Sequence, residues 1–454
     1  MGSTVFDSSM FKDLFGTDDM RNVFRDEALI SRYLEIEAAL ARAQARLGVV
    51  PVAAASRIGE TSRSLNVDFE RLRHETEVVG YPILPVVHQL AEAAGEAGRY
   101  VHWGATTQDI MDTATVLQMR SALDIVERDL RSVRDLLRDL ARKHRDTPMA
   151  GRTHLQQALP VTFGYKAAVW LSGVERHLQR LDQARPRILV GAFSGAAGTL
   201  ASVGETGLEM QRLFCEELDL AQPTITWHVA RDGFAEAAVL LGMITGTLAK
   251  IATDVMLMAS TEFGELSEPF VLGRGASSTM PQKRNPISSE LMLAAAKSVR
   301  QHTATMLDAM IHDFERATGS WHAEWIALPE SFLLTAASLA HARFMLTGLV
   351  VHEDRMRRNL GLTGGLIVAE AAMMAAAPKL GRQRAHDLVY SACREAIEDG
   401  GTLAERLAAI PEIVTALGGL EAIEACCDPA RYLGLCGVMV DRILGTGSES
   451  PCAA

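Results

Sequence analysis

The stretch GASSTMPQKRNP, residues 275–286, sets Ser277, Ser278, Gln282, Lys283, Arg284 and Asn285 around Pro281 and Pro286. A hydroxyl, a cation and an amide within nine residues are what proton abstraction beside a carboxylate requires. Removing that proton leaves a doubly charged aci-carboxylate, which needs a cation and fixed dipoles more than covalent chemistry. A serine serves as the base only if its oxyanion is stabilised. Backbone N–H groups of such a loop, together with Lys283, can supply that.

Two further polar islands interrupt an otherwise helical pattern. YVHWGATTQDIMDT, residues 100–113, offers Thr106, Thr107 and Gln108 ahead of a long apolar-periodic segment. Such residues suit a helix N-cap, and a helix start with free N–H groups also suits an anion. GRTHLQQALP, residues 151–160, places Thr153 and His154 beside Gln156 and Gln157. A histidine with hydroxyl and amide neighbours, rather than an apolar face, suits a wet, titrating site.

The elements that must carry these islands read as helices. Val116, Met119, Leu123, Val126, Leu130, Val133, Leu137 and Leu140 are spaced alternately three and four apart. That is an unbroken heptad seam. Phe234, Ala237, Leu241, Ile244, Leu248, Ile251, Val255 and Met258 repeat the rule. Further apolar-periodic stretches cover roughly 162–183, 287–311 and 327–350. About five long helices are therefore expected, packed near-parallel in a bundle. Strand signals are scarce, and ILVGAFSGAAGTL (188–200) reads as a loop crossing the bundle, its glycines serving close backbone packing. Pro and Gly breaks shorten the helices elsewhere. The organisation expected is an N-terminal helical domain (1–111), a central long-helix bundle (112–356) and a C-terminal helical domain (357–454). Seams this apolar predict a homo-oligomer.

Composition narrows the function. The 454 residues are 48% hydrophobic and 22% charged, with a net charge of −11 and no basic block. This argues against nucleic acid as the main partner, yet permits a small anionic substrate in a local cationic pocket. No signal peptide is evident, and position 6 is Phe where a myristoylation motif needs Ser or Thr. No apolar run reaches the ~20 residues that span a bilayer, so no membrane is expected. The six cysteines, at 215, 393, 426, 427, 436 and 452, show no CxxC spacing. Reduced thiols in a cytoplasm are expected, with no metal. No dinucleotide fingerprint stands in a suitable context, so no cofactor is expected.

The third island closely resembles the GSSxMPxKxNP signature of the fumarase/aspartase superfamily, standing here as ASSTMPQKRNP. The resemblance covers nearly the whole chain. WHVARDGFAEAAVLLG, SWHAEWIALPE and GLIVAEAAMMAAAPKLGRQRAH look most like the 3-carboxy-cis,cis-muconate cycloisomerases within it. It implies an all-α fold of three helical domains whose central helices form a twenty-helix core in a homotetramer. Each active site would draw three regions from three subunits. By motif position, Ser277 matches the catalytic base and Lys283 the residue stabilising the carbanion. Thr106, Thr107, Gln108, Thr153, Ser278, Met280 and Asn285 match substrate-binding positions. His154 matches a histidine that assists the leaving group in several C–N lyases, and it is more usual in aspartate-derivative lyases than in cycloisomerases. Ala276 stands where the signature has glycine, which would stiffen the start of the loop. The reaction implied is elimination or addition next to a carboxylate of a small di- or tricarboxylate, as in a cycloisomerase. The alternatives are a C–N lyase or epimerase acting on an N-substituted aspartate, and a non-catalytic structural homologue.

Overall fold

The computed structural model describes residues 2–316 and 318–446. Helix dominates. Five long helices, Thr107–Lys143, Phe163–Ile188, Asp232–Ala259, Ile287–Asp308 and Ser320–Thr347, stand where periodicity places them. The first holds 37 residues, about 55 Å of helix at 1.5 Å per residue.

Seven of the eight residues of the first seam are buried, Leu140 being half-buried, and all eight of the second are buried. Each large aliphatic side chain so removed from water contributes roughly 1.5–3 kcal/mol, which explains why the seams specify helix ahead of local propensity. The chain divides into two compact units. One comprises residues up to Arg131, His177–Ala249 and Leu291–His341; the other comprises Ser132–Arg176, Lys250–Glu290 and Ala342 onward. In the first unit Phe24 packs against Phe332 at 5.7 Å between ring centroids. In the second, Ala376, Ala385, Val389, Leu403, Leu407 and Ile413 form the core of the C-terminal helices.

The Asp232–Ala259 helix is long and apolar enough, by length and composition alone, to cross a membrane. The expectation from run length overlooks this because Thr245, Thr247 and Lys250 punctuate the apolar residues. Most of its apolar window is buried inside the protein, as in a core helix.

The main departure from an all-helical reading is an antiparallel hairpin, β1 (Pro148–Thr153) with β2 (Gln156–Thr162). It occupies the second polar island. The crossing segment 188–200 is irregular apart from a bridge between Val190 and Ala221. A Cβ on Gly191 would lie 2.7 Å from Cys215 Sγ, and one on Gly198 would lie 2.7 Å from Thr226. These two glycines therefore answer to close packing. The five described cysteines are free thiols, and Cys452 lies outside the described residues. Burial pushes the Cys215 thiol up to about 12, which leaves it protonated and inert.

Candidate active site

In the second unit the signature loop closes on itself. Asn285 N donates to Gly275 O at 3.0 Å, and Ala276 bridges antiparallel to Arg284. Gly275 has φ +69°, and a Cβ there would meet Asn285 O at 2.4 Å. The loop base thus needs glycine at 275, one residue before the Ala276 substitution, and Ala276 itself lies outside the left-handed region. Inside the loop Ser277 Oγ accepts from Thr279 N at 3.3 Å and Met280 N at 3.0 Å. Two converging N–H donors favour the oxyanion form of that hydroxyl. Lys283, Ser278 and Met280 are exposed, and Asn285 is half-buried.

The loop then runs into the Ile287–Asp308 helix, whose start is capped by a carboxylate. Glu268 accepts from Ser288 N (3.1 Å), Ser289 N (2.8 Å) and Ser289 Oγ (2.7 Å). These donors are taken by Glu268, and they fix the C-terminal end of the loop.

Thr153 and His154 sit at the tip of the β1–β2 hairpin, exposed. His154 (φ +50°) and Leu155 (φ +64°) are its two turn residues. The tight register, Thr153 opposite Gln156, demands a two-residue turn with both residues left-handed. Asn-Gly would announce such a turn. His-Leu does not, and each pays of order 1–2 kcal/mol for the conformation. Among the described residues no hydrogen bond joins Thr153 or His154 to Ser277, Lys283 or Asn285.

In the first unit, Thr106, Thr107 and Gln108 open the Thr107–Lys143 helix. Asp109, fully buried, holds the first of them. Its carboxylate accepts from Thr106 N (2.9 Å), Ser194 N (2.9 Å) and Gly195 N (3.0 Å), and lies 2.8 Å from His228 Nε2. The Thr106 hydroxyl, instead of capping the helix, accepts from Arg316 Nη1 at 3.0 Å, while Arg316 Nη2 donates to Ala196 O at 2.8 Å. Gln108 is buried, its amide donating to Asp112 Oδ2 and His228 O. Among the described residues its Oε1 has no partner. Arg316, Asp109 and His228 are absent from the residues that sequence reasoning selects. Nothing short of tertiary contact marks Arg316, 210 positions from Thr106.

The same island is anchored upstream. His102 Nδ1 lies 2.6 Å from buried Glu37 Oε1, and His102 N donates to Oε2 at 3.0 Å. Burial would lower the imidazole pKa, but the Glu37 charge and hydrogen bond, with Asp109 adding, carry it above 6.5. Deeper still, Arg231 is locked between Asp112 (2.6 Å) and Glu324 (2.9 Å), with Trp321 Nε1 donating to Asp112 at 3.0 Å. Such a buried ionic cluster serves geometry more than stability. It ties the starts of three long helices together.

The chain is similar to known proteins over most of its length. The family described as Lyase matches residues 15–300, and the family described as Adenylosuccinate lyase C-terminus matches residues 365–443. The crystal structure of a fumarate lyase from Mesorhizobium sp. BNC1 is 56% identical, with TM-score 0.90 over 95% of this chain and 98% of that one. Trans-aconitate decarboxylase 1 of Mycosarcoma maydis is 48% identical over 96% of this chain and 89% of its own length. The 3-carboxy-cis,cis-muconate cycloisomerase of Pseudomonas aeruginosa is 45% identical over 97% of both.

Proposed function

The chain belongs to the fumarase/aspartase superfamily of lyases, and from that premise we propose a cofactor-independent cycloisomerase acting on a carboxylated muconate or its lactone. In lactone opening, Ser277 removes the proton beside the substrate carboxylate. The electron pair moves into the aci-carboxylate, steadied by Lys283 with Asn285 and Thr153 on the carboxylate oxygens. Its collapse breaks the ring C–O bond, and the departing carboxylate stays on the same molecule. Cyclisation is the reverse, with Ser277 returning the proton to carbon.

The observation that carries this reading is the pair of N–H groups donating to Ser277 Oγ, which lets a serine act as a base without a histidine partner. The 45% relative named for this reaction supports the substrate class.

We place the enzyme in the cytoplasm as a homotetramer with sites shared between subunits. Supporting this, the hairpin tip is exposed and, among the described residues, unbonded to the serine loop. The long helices also carry outward apolar residues, Val169, Met243, Leu257 and Leu307 among them, each over a third exposed. The test is ultraviolet absorbance with 3-carboxy-cis,cis-muconate, trans-aconitate, fumarate plus amines, and adenylosuccinate, without added cofactor. Consumption of the muconate is expected. No turnover of it alongside rapid turnover of another member would overturn the assignment.

A further inference from the structure

We propose that Arg152, Glu265 and Asn359 form a buried foot that positions the Thr153–His154 tip, making Arg152 and Glu265 positioning residues for the reaction. The proposal rests on the functional reading above, in which that tip serves the substrate.

A two-stranded ribbon on its own is marginally stable. This one ends in two non-glycine residues held in the left-handed region, a conformation that persists only when its surroundings over-determine it. Below the turn, Ala150 packs in a buried apolar cluster with Leu360, Ile367 and Val368, and the polar part of the surroundings converges on one carboxylate. Arg152 Nη1 and Nη2 donate to Glu265 Oε2 (2.9 Å) and Oε1 (2.7 Å), and Glu265 is completely buried. Asn359 Nδ2 donates to the same Oε1 at 2.7 Å and to Phe263 O at 3.0 Å. The Arg152 guanidinium also stacks over the Phe263 ring, 4.5 Å from its centroid.

The opposite strand joins the same network. Arg152 on β1 pairs in register with Gln157 on β2, and Gln157 Nε2 donates to Asn359 O at 2.7 Å. Asn359 therefore holds both strands, one through Glu265 and one directly. Glu265 is itself held by its backbone, its N donating to Met258 O and its O accepting from His352 N.

This foot lies one residue pair below Thr153 and Gln156, so a shift at Arg152 passes straight to the tip. A misplacement of 1 Å at a reacting group can lower a rate by about 100-fold. The paired, planar bond of a guanidinium to a carboxylate fixes direction as well as distance, which a lysine cannot reproduce.

The test is a double-mutant cycle between the foot and the tip. Arg152→Lys is measured in the wild-type background and in a tip variant, Thr153→Val with His154→Asn. The tip variant is expected to lose at least tenfold in kcat/KM. Arg152→Lys is expected to lose tenfold or more in the wild type, and less than twofold in the tip variant, with the thermal midpoint near wild type. Equal losses in both backgrounds would show a general structural role and overturn the proposal. Glu265→Asp, which withdraws the carboxylate by one methylene, is read in the same way. Loss of the fold in both foot variants would assign the network to stability alone, again overturning it. A tip variant at full kcat/KM is a different failure: it removes the functional reading itself.

Discussion

The backbone N–H of Met280 donates to Ser277 Oγ at 3.0 Å. That bond, with the one from Thr279, makes the Ser277 oxygen an acceptor before any substrate arrives. Ser277→Ala is therefore expected to lose at least ~100-fold in kcat with little change in KM, since general-base catalysis supplies about 10² to 10⁴-fold. Lys283→Met should be comparably damaging, because the aci-carboxylate loses its cation. Steady-state kinetics on the true substrate check both. Near wild-type kcat for Ser277→Ala would sink the mechanism.

The loop base sets a second expectation. A methyl group at Gly275 would collide with Asn285 O and sit at φ +69°, so Gly275→Ala should displace the Asn285 end of the loop. A loss of about tenfold or more in kcat/KM is expected, with the thermal midpoint nearly unchanged because the loop lies outside the core. A large fall in melting temperature would instead make Gly275 a stability residue.

His154 reports on the bond being made or broken. In a muconate cycloisomerase the attacking group is the substrate's own carboxylate, so His154→Asn should cost less than about tenfold in kcat. A departing amine needs a proton or an ordered polar partner. A loss of ~100-fold or more would therefore redirect the assignment to C–N cleavage.

The proposed sharing of sites between subunits makes a quantitative claim. Ser277→Ala tetramers and Thr106→Val/Thr107→Val tetramers, dissociated and reassembled at equal ratio, should regain about a quarter of wild-type activity. In randomly mixed tetramers one site in four receives both intact segments from different subunits. No recovery in demonstrably mixed tetramers would place the 106–107 and 277 segments of a site in one chain.

The His102–Glu37 pair predicts a pH dependence. The folded-state pKa of His102 stands above 6.5. Its contribution to stability is therefore complete below pH 6.5 and lost as the pH rises through the elevated value. The thermal midpoint should fall as the pH rises from 6.5 through that elevated value, and Glu37→Gln should flatten that part of the profile. An identical slope in the variant would remove His102 from the account.

What the sequence by itself determined were the features written in local order. The seams from Val116 to Leu140 and from Phe234 to Met258 specify long helices because their apolar period admits no other element. The 275–286 loop is legible as chemistry because its hydroxyl, cation and amide lie within nine residues. Only tertiary structure decided the rest. The hairpin at 148–162 is hidden because its turn is His-Leu, residues that adopt the left-handed region only under external constraint. That constraint comes from Glu265, 113 positions away from Arg152, and from Asn359. Arg316 reaches the Thr106 hydroxyl across 210 positions, and Asp109 gathers donors from the 194–195 loop and His228. Pairings of this kind arise when a folded core brings distant groups to hydrogen-bonding distance, and periodicity or spacing along the chain carries no trace of them.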